Sequence, residues 1–183
     1  MLRVPFALVC FVAVAAQATA PVASAQSKEP AASPAAQAAR CPAPEFRQFD
    51  FWLGDWDTFE SDAPTTWIAR AHVDLIASGC AVHELYEQSD GLIGDSILSF
   101  DPVRKTWQQT WVDNRGSLMV LTGAFKEGAV TLEGEMHLRD GKTLQQHITW
   151  KAEGGGVRES SVMSKDGGKT WEPFFDVLFK KHK

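Results

Sequence analysis

Residues 49–57 read FDFWLGDWD, and this stretch decides the fold. It holds four aromatic side chains around a single glycine, Gly54. Large aromatic rings contribute apolar area that must be buried, and glycine lets another part of the backbone approach closely. Upstream the chain is rich in alanine and proline, and downstream it alternates between apolar and polar residues. The stretch therefore marks the point at which a packed domain begins.

From Gly54 onward the chain divides into short segments with period-two alternation, separated by Gly, Asp, Asn and Pro. Such spacing predicts antiparallel strands rather than helices. The predicted strands span residues 54–60, 66–77, 80–88, 96–101, 106–113, 117–126, 129–139, 143–151, 157–164 and 170–179. Consecutive strands joined by tight turns can close on themselves and leave no free edge. We predict an all-β fold, an up-and-down antiparallel barrel of about ten strands with one short helical turn over residues 45–52.

The pair Gly54-x-Trp56, opening the first strand of an all-β chain, resembles the lipocalin-like (calycin) barrels, which have the up-and-down form of fatty-acid-binding proteins. The wider run is similar to the FDFWLG-x-W start of a group of uncharacterised, secreted bacterial proteins. The resemblance covers residues 44–180. It implies that Gly54 and Trp56 are structural residues at the closed end of the barrel, where the tryptophan plugs the base.

The resemblance continues at Glu84, at the run WQQTWVD of residues 107–113 and at the pair Arg158-Glu159. Ser161 departs from the pattern, since an aromatic residue is expected there. A serine in that place would enlarge the interior or change its ligand preference.

The N-terminus has the features of a secretory signal peptide over residues 1–25. One basic residue, Arg3, precedes an apolar run too short to span a membrane, and the small residues Ala23-Ser24-Ala25 form a cleavage pattern. Residues 26–44 are Ala- and Pro-rich and predict a disordered linker, followed by a lipocalin-like barrel domain over residues 45–180. We therefore expect a periplasmic or extracellular protein with no stable membrane insertion after cleavage.

The net charge narrows the classes of binding partner, and the cysteine count predicts a disulfide. Loss of Arg3 with the leader takes the formal net charge from −5 to −6, and no basic patch suggests nucleic acid. Cleavage would also remove Cys10 and leave Cys41 and Cys80. Two thiols in an oxidising compartment predict a disulfide, and two separate buried thiols are the alternative. The oligomeric state stays open.

Polar residues occur among the apolar, inward-facing positions of four predicted strands. A buried carboxyl or amide costs about 1–3 kcal/mol unless it finds a partner, so these groups must bind each other, water or a ligand. The sequence allows two interpretations, a structural hydrogen-bond network and a ligand-binding cavity. The predicted ligand-binding residues are Glu84, Tyr86, Trp107, Gln109, Trp111, Gln146 and Glu159.

Binding of a small, partly apolar molecule is the favoured function, and two alternatives come from other classes. Glu84 and Glu159 could serve as base and acid of an isomerase, cyclase or hydrolase, since paired carboxyls in a dry cavity can have separated pKa values. The barrel could also be an interaction module with a fully packed interior. No residue is singled out as catalytic, and whether the protein is an enzyme stays open.

The histidines do not form a metal motif. No H-x-H, H-E-x-x-H or C-x-x-C occurs, so we predict neither a metal nor another cofactor, although one histidine could ligate haem, as in some ten-stranded barrels. In the hairpin of the seventh and eighth strands, a three-residue loop over 140–142 puts the apolar residues of both strands on one face. His137 and His147 then lie outside.

Residues 164–171 read SKDGGKTW and match the pattern S-x-D-x-G-x-T-W. This resembles the Asp-box hairpin of sialidases and propellers, in which the Asp side chain bonds turn amides. A single copy cannot build a propeller. Asp166 and Trp171 are therefore predicted to be structural residues of a turn.

Overall fold

Ten antiparallel strands close into a barrel in the computed structural model, which describes residues 40–183. Each strand pairs with the next along the chain, and the first also pairs with the last. The predicted all-β, up-and-down fold is confirmed. The predicted signal peptide, and the predicted linker up to residue 39, lie outside the described residues.

The strands in chain order are β1 (Gly54–Glu60), β2 (Trp67–Ile76), β3 (Ala81–Gln88), β4 (Ile93–Asp101), β5 (Thr106–Asp113), β6 (Leu118–Lys126), β7 (Ala129–His137), β8 (Thr143–Glu153), β9 (Gly156–Ser164) and β10 (Glu172–Lys181). Two short 3-10 helices, Pro44–Arg47 and Asp50–Trp52, precede β1, and a third, Ala77–Gly79, joins β2 to β3. No helix of the described residues has the length and apolar character that a membrane crossing requires.

β4 begins three residues earlier than the prediction of residue 96. Gly94 does not end the strand, because it pairs with Tyr86 on one side and Asp113 on the other. Ile93 N also donates to the side-chain oxygen of Asn114 at 3.1 Å. Cross-strand bonding therefore overrides the turn tendency of the glycine.

The loop between β7 and β8 has three residues, as predicted, but it spans residues 139–141 rather than 140–142. Leu138 N donates to Lys142 O at 2.8 Å, and Gly141 closes the loop with a φ of +82°. A shift of one residue at both ends keeps the same faces inside, since side chains alternate with period two. The apolar faces of the two strands meet in the interior, as predicted.

An aromatic cluster closes one end of the barrel. Phe49 is fully buried, and its ring centroid lies 4.8 Å from that of Trp107 and 5.7 Å from that of Trp150. Trp52 packs 5.8 Å from Trp150 and 5.7 Å from Phe179. Edge-on aromatic pairs of this kind contribute about 0.5–1.5 kcal/mol each beyond their buried area. The FDFW segment is thus the plug of the closed end.

A disulfide joins Cys41 to Cys80, with their Cα atoms 5.1 Å apart, which confirms the predicted pairing. Arg40 N donates to Ser78 O at 3.1 Å beside it. The bond links the segment before the plug to the turn between β2 and β3. Disulfides of this kind persist in oxidising compartments.

Candidate functional site

A cavity of about 370 Å³ lies inside the barrel, at the end opposite the aromatic plug. The turns that follow β3 and β5 contribute to its lining, whereas the plug packs where β4 meets β5. The aromatic part of the lining consists of Tyr86, Trp111, Phe174 and Phe175. Aliphatic, methionine, carboxyl and amide side chains and one guanidinium complete the lining, so the wall is mixed in polarity.

Six of the seven predicted ligand-binding residues line this cavity: Glu84, Tyr86, Gln109, Trp111, Gln146 and Glu159. The seventh, Trp107, lies in the plug instead, where its Nε1 donates to Gln48 Oε1 at 2.8 Å. Inward residues two apart are separated by about 6.6 Å along a strand, so they lie at different depths in the barrel. Alternation therefore placed Trp107 inside correctly, but it could not tell the floor from the chamber above it.

Two amides in the lining lack a full set of partners. Gln109 Nε2 donates to Ser96 Oγ at 3.2 Å, whereas Gln109 Oε1 has no partner among residues 40–183. Gln146 is 1% exposed, and neither its oxygen nor its nitrogen is bonded within the same residues. A buried polar group without a hydrogen bond costs about 1–3 kcal/mol. These amides therefore have unused hydrogen-bonding capacity beside the cavity.

The acidic groups of the lining have unusual pKa values. Burial, reinforced by the nearby Glu159, raises the pKa of Glu84 well above the usual 4.5. Burial also raises the pKa of Glu159 to about 8. The pKa of the Tyr86 phenol is raised by burial and, more weakly, by the same two carboxyls. At neutral pH the Glu159 carboxyl is thus mostly protonated and can donate a hydrogen bond, and burial favours the protonated form of Glu84 too.

Sequence reasoning missed several lining residues. Glu60 continues the inward alternation of Trp56 and Thr58 on β1, so the same periodicity could have identified it. Asp113 likewise continues the inward alternation of Gln109 and Trp111 on β5. Arg115 lies in the turn that follows, where no periodicity applies.

Trp56 is almost fully buried beside the plug. Its Nε1 donates to Trp52 O at 2.7 Å. Lys181 Nζ lies 3.7 Å above the centroid of the Trp56 ring and donates to Leu53 O at 2.7 Å. Gly54 has a φ of +128°, and a Cβ there would overlap Lys181. The pair thus connects the first strand to the last.

Asp166 organises the turn between β9 and β10. Its Oδ1 accepts bonds from Lys169 N at 3.0 Å and Thr170 N at 2.9 Å, and these bonds lower its pKa to about 2. Trp171 Nε1 donates to Gly168 O at 3.2 Å. These bonds occupy residues 170 and 171, so β10 begins at Glu172 and not at the predicted residue 170.

None of the five histidines lines the cavity. His137 is exposed and His147 half-buried, both on the outer face beside Glu135 and Glu133, as the hairpin predicted. His83 lies between Asp74 and Asp95, also on the outer wall. Within residues 40–183, no three acidic, histidine or cysteine side chains are grouped as metal ligands.

Comparison with protein-family models and with curated proteins finds no match for this chain.

Proposed function

We propose that this barrel binds a small, partly apolar molecule in the cavity above the aromatic plug. The cavity volume of about 370 Å³ lies within the range of roughly 300–1,000 Å³ that ligand pockets occupy. Aromatic walls with a few polar groups are also typical of such pockets. The unused amide groups of Gln109 and Gln146 beside the cavity carry the proposal.

The lining distinguishes a ligand-binding cavity from an interior that is only a packed core. An interior that serves only as a core fills its volume to the density of an organic crystal and satisfies its polar groups. Here a chamber of ligand size is retained, and three of the six buried side-chain polar atoms without a partner in residues 40–183 belong to Gln109 and Gln146 at its wall. A ligand with hydrogen-bonding groups and an apolar body would satisfy both features.

We propose that the protein acts in the periplasm or outside the cell, and that it belongs to the lipocalin-like secreted proteins with an FDFWLG-x-W start. The Cys41–Cys80 disulfide supports the first proposal, since such bonds are rare in the reducing cytosol. The position of Trp56 near the plug supports the second. Immunodetection of the native chain in periplasmic and cytosolic fractions tests the location.

The binding function is tested by fluorescence titration with N-phenyl-1-naphthylamine, a neutral aromatic probe. Met136 lines the cavity, and its neighbour Glu135 on β7 faces outward. We expect wild type and Glu135→Trp to bind the probe, whereas Met136→Trp should bind it at least about tenfold more weakly because the indole fills the chamber. Equal binding by the two variants, or no binding by wild type, would contradict the proposal.

Acid–base catalysis is a second candidate, and the raised pKa of Glu159, about 8, favours it. A catalytic acid or base works best with a pKa near the operating pH. Burial raises the pKa of Glu84 as well, and the sequence suggests this carboxyl as the base. Native mass spectrometry of protein from its own cells would identify a retained molecule. Conversion of that molecule by wild type should then fall about 10²–10⁴-fold in Glu159→Gln.

A further inference from the structure

The ionisable side chains of the cavity lining are strongly unbalanced in charge. They comprise four carboxylic acids, one phenol and one guanidinium: Glu60, Glu84, Asp113, Glu159, Tyr86 and Arg115. Strands β2, β4, β6, β7, β8 and β10 contribute no ionisable side chain to the lining. The cavity thus has an excess of acidic groups, supplied by β1, β3, β5 and β9.

The charged side chains at the mouth of the cavity already have partners within the protein. Arg115 Nη2 lies 2.7 Å from Asp90 Oδ2 on the neighbouring turn. Asp113 Oδ1 accepts bonds from Arg115 N at 2.9 Å and Ser117 N at 3.0 Å. The guanidinium is therefore held at the rim by another acid and is not the counter-ion of the deeper carboxyls.

Among residues 40–183, the other three acids have no cationic partner. The ion pairs formed within residues 40–183 do not include Glu60, Glu84 or Glu159. A buried carboxylate without a partner is strongly disfavoured, so it takes up a proton instead. The raised pKa values of Glu84 and Glu159 agree with this geometry. A cation brought in by a ligand would supply the missing partner.

The aromatic groups beside these acids suit the same ligand. Tyr86 and Trp111 meet edge to face, with ring centroids 6.1 Å apart, on the wall that also holds Glu84. Aromatic faces attract organic cations and also bury an apolar body. The nearly inaccessible Gln146 amide, which has no bonded partner among residues 40–183, offers a further hydrogen-bonding group to a polar ligand.

We propose that the cavity selects small organic cations, namely a protonated amine on an aromatic or aliphatic body, with the ammonium group at Glu84 and Glu159. The body of the ligand would lie against Tyr86 and Trp111. This inference rests on the proposed binding function, and it specifies the chemical class of the ligand.

Binding of such a cation is linked to ionisation of the carboxyl groups in the cavity. The ammonium group pairs with a carboxylate, so a carboxyl that is protonated before binding releases its proton. The affinity should therefore rise as the pH increases through the pKa of Glu159, about 8. Glu60, Asp113, Arg115 and Tyr86 also face this space, which makes the pH dependence a property of the cavity as a whole.

The test uses three probes that share one naphthalene ring and differ in charge: 1-naphthylmethylamine, 1-naphthalenemethanol and 1-naphthoate. Isothermal titration of the wild-type protein should rank the cation first, by at least about tenfold over the alcohol, and the anion last. The affinity for the cation should rise at least about threefold between pH 6 and pH 8, with proton release, while that for the alcohol stays constant.

Two matched double variants assign the preference to the cavity. Glu84→Gln with Glu159→Gln should abolish the preference for the amine over the alcohol, because it removes both inner carboxyls at nearly constant volume. Glu133→Gln with Glu135→Gln removes two carboxyls from the outer face and should keep the preference. Loss of the preference in both variants would mean that overall charge, rather than the cavity, attracts the amine, and would overturn the inference.

The two proposals fail in different ways. If none of the three probes binds at millimolar concentration, the binding function is wrong and the inference falls with it. If the alcohol or the naphthoate binds as well as the amine, the chamber binds small molecules but the cation inference is wrong.

Discussion

The indole of Trp111 lies directly over Gly94 on the neighbouring strand, so that a Cβ at residue 94 would overlap the ring. Gly94 thus makes room for one aromatic wall of the cavity. The indole also donates from Nε1 to Asp113 Oδ2 at 3.4 Å and meets the Tyr86 ring edge to face. The shape of the chamber depends on this absence of a side chain.

Replacing Gly94 by alanine should therefore push the indole of Trp111 into the cavity. We expect affinity for N-phenyl-1-naphthylamine to fall at least about tenfold and the free energy of unfolding to fall by about 1–3 kcal/mol from overpacking. Fluorescence titration and urea unfolding measure the two effects. Ser99→Ala, on the same strand but facing outward, is the control. Unchanged binding by Gly94→Ala would show that Trp111 does not shape the site.

The Cys41–Cys80 disulfide should contribute to stability through the 39-residue separation that it bridges. Reduction should lower the free energy of unfolding by about 2–4 kcal/mol, because the unfolded chain regains the entropy of an open loop. Urea unfolding with and without dithiothreitol measures this. The double variant Cys41→Ser with Cys80→Ser should respond to dithiothreitol no further, and identical midpoints of oxidised and reduced wild type would refute the prediction.

Lys181 should stabilise the junction of β1 and β10 through its position over Trp56. Lys181→Met keeps the aliphatic length but loses the cation over the ring and the bond to Leu53 O, so we expect a loss of about 1–2 kcal/mol in unfolding free energy. Lys183→Met, beyond the end of β10, controls for the loss of one charge. Equal stability of the two variants would argue against the contact.

Asp166 should make the stability of the protein depend on acid pH. Its pKa is lowered from 3.8 to about 2 in the folded protein by bonds from Thr170 and its neighbours. A depressed carboxyl pKa stabilises the folded state above pH 3.8, and this contribution is lost as the pH falls through about 2.

Urea unfolding of wild type and Asp166→Asn tests this dependence. Wild type should have the higher midpoint at pH 5, and the difference should shrink towards pH 2, since the protonated aspartate and the asparagine are both neutral. A difference independent of pH would show that the ionised carboxylate does not organise the turn.

The sequence alone was sufficient to predict the features that depend on residues close together in the chain. Period-two alternation predicted all ten strands, and β1 and β5 have the predicted bounds. It placed His147 outside and Gln146 inside, because adjacent residues of a strand face opposite sides. The pairing of Cys41 with Cys80 followed from cysteine count and expected compartment.

Only the tertiary structure decided how deep each inward residue lies and which side chains surround it. Trp107 and Trp111 have the same alternation on β5, but one lies in the plug and the other lines the cavity. Glu84 and Glu159 share one chamber because closure of the barrel brings β3 and β9 to opposite sides of a common interior. Alternation is set by each strand alone, whereas depth and proximity are set by register and closure, to which every strand contributes.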